Sequence, residues 1–277
     1  MNHFNGLFYD CHKLTNIMTQ YNNSISMDNR TYMDYAFYNC RALTTVAFNA
    51  PYYINSARYA FYGCNNLTAL NFTNGSYASQ MYNFHNAFQN CTKLTTFQAN
   101  NAYFYNFGNA FENCTNLTTF NIGSGTMYYA NNAFSGCNKL NSVTFYTGMY
   151  IYNAFRNCGS IGNINCYRLD YADNAFRNSG VKNLNINGQC SNLHNAFADC
   201  NSLQTIWLNY PQNLYNTFRN SKGIVNFTAN YYAYNLINAF ENSGVQTVKF
   251  TNQVYNINYA FANCKNLKTV TFCNNTS

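Results

Sequence analysis

The dipeptide Ala-Phe or a near variant recurs along the whole chain, anchored on Phe8, Phe37, Phe61, Phe88, Phe111, Phe134, Phe155, Phe176, Phe197, Phe218, Phe240 and Phe261, at intervals of 21 to 29 residues. The residue before the phenylalanine is Ala in ten of these repeats, with Leu7 and Thr217 as the exceptions. Two positions after it stands only Asn, Gly or Asp, from Asp10 and Asn39 to Asn263. Three positions after comes Cys in nine repeats and Ser in three, Ser179, Ser221 and Ser243. A run of the form apolar-x-x-apolar-x-apolar follows, as in Leu43-Thr-Thr-Val46-Ala-Phe48 and Leu203-Gln-Thr-Ile206-Trp-Leu208. A unit this short cannot bury its own apolar face, so successive copies must stack into a common core.

Each column has a physical cause. A position open only to Asn, Gly and Asp marks positive φ, which these residues tolerate. It fits one short helical turn around Ala-Phe that stops at a left-handed cap. The alternating run of the Val46-Ala-Phe48 type reads as a short strand with every second residue inward. A second, weaker strand precedes Ala-Phe, with an apolar residue four before the phenylalanine, such as Met33, Phe84 and Ile151. The expectation is a repeat solenoid, mainly β with one helical turn per repeat and about twelve coils, forming a single domain over residues 1–277. No polar capping repeat is legible at either end, so the reading is a fragment of a larger protein or ends covered by other subunits.

The run Ala-Phe-x-Asn-Cys-x-x-Leu-Thr-Thr-x-x-Phe, at Ala36–Phe48 and with a final Ile at Ala110–Ile122, resembles the BspA-like (Treponema-type) leucine-rich repeats. It is also similar to short repeats of bacterial surface lipoproteins. The resemblance spans nearly the whole chain, with one departure. The family often carries Ile-Pro after the strand, whereas prolines here occur only at Pro51 and Pro211. The resemblance implies a binding or adhesion scaffold of bacterial surfaces, phage-encoded proteins or protist surfaces, and no catalytic residues.

Composition narrows the function. Only 8% of residues are charged, against about a quarter in a typical domain, and eight carboxylates and four histidines leave little for acid–base catalysis. Asp170 and Asp173 are the nearest approach to a carboxylate pair and read as turn and cap residues. His3, His12, His85 and His194 fall in different coils, so no metal or triad constellation is expected, and no cofactor. The excess of 15 basic over eight acidic residues is mild and never clustered, which argues against nucleic acid. No apolar stretch is long enough to span a bilayer, and the first residues lack the basic and apolar regions of a secretory signal. Asparagine outnumbers lysine by 55 to 8, so neutrality looks selected, as suits an extracellular surface or a virion with many packed copies.

The column cysteines, in register at about 4.8 Å with parallel Cβ vectors, are unsuited to disulfides, which need converging Cβ atoms near 3.8 Å. Replacement by serine at three turns points to buried thiols in a position that needs a small residue. Cys166, Cys190 and Cys273 lie off the column. Arg156, Arg177 and Arg219 share the position after the phenylalanine, where Glu112 and Glu241 also occur, and read as a solvated edge.

Tyrosine gathers in the variable segment before Ala-Phe: Tyr52-Tyr53, Tyr103-x-Tyr105, Tyr128-Tyr129, Tyr150-x-Tyr152 and Tyr231-Tyr232-x-Tyr234. Tyrosine with Asn, Ser and Gly is the composition of antibody-like paratopes, and it also suits sugars; the competing reading packs these rings between coils. Trp207, between Ile206 and Leu208, should point outward from the first-strand sheet, beside Asn185, Thr228 and Lys249. It reads as a contact residue for a ligand or for a neighbouring subunit. The candidate binding residues are therefore Trp207, Asn185, Thr228, Lys249, Tyr128, Tyr129, Tyr150, Tyr152, Tyr231 and Tyr232. The leading expectation is a non-enzymatic adhesion module that recognises a host-surface glycan or protein. The alternative is a structural subunit that assembles with copies of itself into a filament, ring or coat.

Overall fold

The structure is a computed structural model and describes residues 3–17, 25–26, 31–49, 53–73, 80–99 and 101–273; Pro51 and Tyr52 lie outside them. The chain winds into a parallel β-solenoid in which each coil contributes strand segments and a turn. First strands form an eight-stranded sheet running from Ile25–Ser26 and Thr45–Asn49 to Asn163–Cys166 and Asn183–Ile186. Second strands form a sheet that starts at Thr31–Tyr32 and reaches twelve strands.

At Thr205–Asn213 one strand turns the corner from the first-strand face to the second and so joins the two sheets. The second half of this nine-residue strand continues the second-strand sheet, with Asn209, Pro211 and Asn213 opposite Gln189, Cys190 and Asn192. Its first half pairs onward with Asn226–Asn230, and that strand with Thr247–Phe250, both first strands by repeat position. Past this point the second strand shrinks to isolated bridges, Asn213 to Asn235 and Ala233 to Val254.

No helix occurs among the described residues, which corrects the expected helical turn around Ala-Phe. The hydrogen bonds show why. The N–H groups of Tyr35, Phe37 and Asn39 reach the next coil, donating to the carbonyls of Arg58, Ala60 and Tyr62 at 2.7–2.8 Å. Those of Ala36, Tyr38 and Cys40 donate three residues back, to Met33, Tyr35 and Phe37 at 3.1–3.2 Å. Alternate donors thus serve the stack and the turn, so the i→i−4 ladder of a helix cannot form. The chain makes linked β-turns instead.

The Asn/Gly/Asp position adopts positive φ in every repeat, from Asp10 at 57° to Gly136 at 79° and Asn263 at 57°. A second position of positive φ lies four residues earlier, at Gly6, Tyr35, Tyr59, Asn86 and onward to Asn238 and Tyr259. Asparagine does more here than tolerate φ. Its amides ladder between coils, with Asn113 donating to Asn90 at 3.2 Å, Asn178 to Asn157 at 3.1 Å and Asn242 to Asn220 at 2.9 Å. Glycine supplies the geometry without this bond.

The twelve anchoring phenylalanines stack face to face from Phe8 to Phe261 at centroid spacings of 4.9–5.9 Å. Each contact adds about 0.5–1.5 kcal/mol beyond area burial. Leu, Val, Ile and Ala from both strands close the core around the stack. Phenylalanine and tyrosine are sorted by one hydroxyl: phenylalanines fill the core, and no described tyrosine is buried. Burying an unpartnered phenol costs a hydrogen bond, and the narrow coil offers few partners inside.

All twelve cysteines are thiols. Along the column each Sγ after Cys11 donates to the carbonyl of the preceding coil's phenylalanine, as Cys64 to Phe37 at 3.0 Å and Cys137 to Phe111 at 3.1 Å. Ser221 makes the same bond to Phe197 at 2.7 Å, whereas the hydroxyls of Ser179 and Ser243 meet the thiols of Cys200 and Cys264 at 3.5 and 3.6 Å. The column thus holds small side chains that hydrogen-bond between coils. Burial pushes the thiols up, to about 11 for Cys40 and Cys200 and about 12 for Cys158 and Cys190. Thiolate is the reactive form, so iodoacetamide at neutral pH should label the exposed Cys11 and Cys273 in the native protein. The buried column thiols should react only after urea is added; native-state labelling of Cys91 or Cys114 would contradict this packing.

Candidate functional site

Parallel, in-register pairing turns a shared repeat position into a contact. Tyr82, Tyr105 and Tyr128 stand six residues before the phenylalanine of their coils, and Tyr129, Tyr150 and Tyr171 five before. Tyr129 and Tyr171 are both register partners of Tyr150. The rings stack at 4.6 Å for Tyr82–Tyr105, 5.1 Å for Tyr105–Tyr128, 5.0 Å for Tyr129–Tyr150 and 4.9 Å for Tyr150–Tyr171. An edge-to-face contact of Tyr128 with Tyr129 at 4.7 Å joins the two runs. The result is a ribbon of six tyrosines across five coils of the second-strand face. Each ring covers its neighbour, so the ribbon presents ring edges and hydroxyls rather than open faces. Of the strands beneath it, Gln80–Asn83, Tyr103–Asn106, Thr126–Tyr129 and Thr147–Tyr150 carry no charged residue, whereas Arg168–Tyr171 carries Arg168 and Asp170. Beyond Tyr171 the position passes to amides, with Asn213 donating to Asn192 at 3.0 Å.

Tyr152 is not part of this ribbon. It lies half-buried in a polar column three residues before the phenylalanine, followed by Asp173, His194 and Tyr215. Asp173 accepts from the Asn192 amide at 3.1 Å and faces His194 Nδ1 at 3.3 Å, while His194 meets Tyr215 edge-on at 4.8 Å. Burial pushes the Asp173 carboxyl up, and burial with the Asp173 charge pushes the Tyr152 phenol up. Asp170 is buried on the strand Arg168–Tyr171, where its Oδ1 accepts from Arg168 Nε at 2.8 Å and from Ser191 at 3.3 Å. The two carboxylates thus serve different partners. Arg177 and Arg219 reach along the stack to Asp199 at 3.1 Å and Glu241 at 3.0 Å.

The first-strand face carries Trp207, which is 46% exposed. Register places Thr228 opposite Trp207 and Lys249 opposite Thr228. Asn185 is exposed on the strand Asn183–Ile186, which lies against Thr205–Asn213 and pairs its Asn185 with Asn165. No aromatic ring stacks on Trp207 among the described residues. Tyr210, Tyr231 and Tyr232 are exposed after this strand face, and Tyr234 and Tyr255 are exposed six residues before Phe240 and Phe261, the ribbon's repeat position. Tyr231 stacks on Tyr210, and Tyr234 on Tyr255 at 5.5 Å.

The candidates therefore fall into two surfaces and one structural column. Tyr128, Tyr129 and Tyr150 belong to the ribbon. Trp207, Thr228, Lys249, Tyr231 and Tyr232 gather at the later coils, with Asn185 one strand earlier. Tyr152 sits in the polar column. Tyr82, Tyr171, Tyr210 and Tyr255 went unread in the sequence, although counting back from each phenylalanine aligns Tyr82 and Tyr171 with their neighbours.

Short parallel strands, linked turns and a stacked phenylalanine spine define a repeat scaffold of the leucine-rich-repeat class. A family model for the BspA-type leucine-rich repeat region matches residues 4–87, 84–169, 152–230 and 214–277. The chain belongs to that family. No curated protein matches it. Among solved structures it is similar to a leucine-rich repeat protein from Bacteroides ovatus, at 21% identity and a TM-score of 0.50, over 95% of this chain and 68% of that one. It is also similar to a leucine-rich cell surface protein from Faecalibacterium prausnitzii, at 18% identity and a TM-score of 0.29, over 89% of this chain and 78% of that one.

Proposed function

We propose that the chain is a non-enzymatic interaction module of a bacterial cell surface or phage particle, which binds a protein or glycan through its tyrosine-bearing faces. One observation carries this reading: tyrosines stay at the surface while phenylalanines supply the core. Rings not needed for packing, displayed in rows beside amides, are large rigid contact area at low entropic cost. The two surfaces suit different chemistry. The ribbon's stacked faces are occluded, so its hydroxyls and edges fit the polar rim and aliphatic groups of a protein. The exposed indole of Trp207, with Asn185, Thr228 and Lys249 along the same face, fits a sugar ring.

A glycan array and pull-down against surface extracts would test this. Trp207→Ala is expected to weaken glycan binding by about 30-fold, equivalent to ~2 kcal/mol, and Tyr129→Ala with Tyr150→Ala to weaken protein binding. Unchanged binding in all three variants would remove both faces as sites. The four uncharged strands under the earlier part of the ribbon favour a second reading, in which copies of the chain pack side by side. Light scattering separates the two: a monomer that binds a partner excludes self-assembly, and a filament that binds nothing excludes the adhesin.

A further inference from the structure

Tyr210 and Tyr231 occupy the same corner of successive coils, with ring centroids 3.7 Å apart and planes 15° from parallel. The other stacked tyrosine pairs among the described residues are wider, from 4.6 Å at Tyr82–Tyr105 to 6.3 Å at Tyr232–Tyr234. Both residues hold positive φ, 51° at Tyr210 and 68° at Tyr231, so the same backbone bend throws both side chains off the corner in one direction. Both are exposed, at 43% and 44%. The Tyr231 phenol beside it raises the Tyr210 phenol above its ordinary value. The column thiols, by contrast, are committed to phenylalanine carbonyls and offer no covalent tie between coils.

We propose that Tyr210 and Tyr231 form an oxidative cross-linking site, at which a peroxide-dependent haem peroxidase couples them into a dityrosine that staples two coils. Each phenol gives up one electron and its hydroxyl proton, leaving two phenoxyl radicals. Their unpaired spin is shared between oxygen and the ring carbons beside and opposite it. Parallel rings at this spacing set an ortho carbon of one over the other, a near-attack arrangement. One C–C bond forms between ortho carbons, and the hydrogens on those carbons migrate to oxygen to restore both phenols. In sum, two electrons and two protons leave the pair and reduce one hydrogen peroxide to two waters. The exposed corner leaves room for the joined rings to turn out of the stack.

The test treats the full chain, dilute, with hydrogen peroxide and a haem peroxidase, then digests it with trypsin. Cleavage after Lys182, Arg219, Lys222 and Lys249 leaves the two tyrosines on peptides 183–219 and 223–249. The expected product is these peptides joined, two hydrogens lighter than their sum, with dityrosine fluorescence. Tyr210→Phe and Tyr231→Phe keep the rings for packing and should each lower its yield at least about tenfold, given the advantage of a preset pair. Tyr215→Phe and Tyr232→Phe, on the same peptides, should leave it unchanged. The treated wild type should melt roughly 5 °C higher, and treated Tyr210→Phe should not. A linked peptide that persists in Tyr210→Phe, or coupling confined to separate molecules, would overturn the proposal.

Discussion

Phe134→Ala is expected to destabilise the solenoid by about 4 kcal/mol and to split its unfolding into two steps. Phe134 is fully buried at the middle of the spine, stacked on Phe111 at 5.3 Å and on Phe155 at 4.9 Å. Phe120 meets it edge-on at 4.5 Å. Truncation removes all three contacts and leaves a cavity that the neighbouring rings, held in register by the sheets, cannot close. In a stack where each coil touches only its neighbours, a weak interface in the middle uncouples the two ends. Urea unfolding followed by circular dichroism, with hydrogen exchange on the native state, reads both effects. A single transition with less than about 1 kcal/mol lost would show that the phenylalanine spine is not what joins the coils.

The second large effect comes from a methyl group. A Cβ at Gly180 would overlap the Gly159 carbonyl of the preceding coil and sit 3.4 Å from that of Ile161. These are backbone atoms, and the Gly180 N–H donates to the Cys158 carbonyl beside them at 3.2 Å. The clash is relieved only by prising the coils apart. Gly180→Ala should therefore cost about 2–3 kcal/mol and lower hydrogen-exchange protection on both sides. Gly223 lies against the Asn201 carbonyl and Gly244 against the Lys222 carbonyl in the same way. Gly159→Ala is the control, because its added methyl meets nothing within 4 Å and should change stability by less than about 0.5 kcal/mol. Equal melting midpoints for the two variants would dispose of the close-approach argument.

The repeat made most of the fold legible in advance. Twelve aligned phenylalanines required a stack, and a position closed to all but Asn, Gly and Asp required positive φ. Both are present at Phe8 to Phe261 and at Asp10 to Asn263. The helical turn was misread because its residues suit either a helix or linked turns. Only the neighbouring coil decides, by drawing off every second N–H. The second column of positive φ escaped notice because Tyr35, Tyr59 and Tyr259 stand in it among the asparagines, and tyrosine carries no signal for that conformation. The candidate site was legible by type but not by partner. Tyrosine's place outside the core follows from its hydroxyl. Which tyrosines touch depends on register, which along the ribbon pairs equal positions counted back from the phenylalanine, and the pairing of Tyr210 with Tyr231 needs a corner that no repeat position announces.

The sequence by itself thus determined the architecture, because a short apolar motif repeated without interruption has one way to hide its hydrophobic face. It also determined the neutral surface, since 8% charge can make no other. The tertiary structure decided what that surface offers. Stacking at the strand spacing closes ring faces along the tyrosine ribbon, and register sets Trp207 beside Thr228. Those outcomes turn on distances of a few ångströms between coils, and residues some twenty positions apart acquire such distances only when the chain is wound.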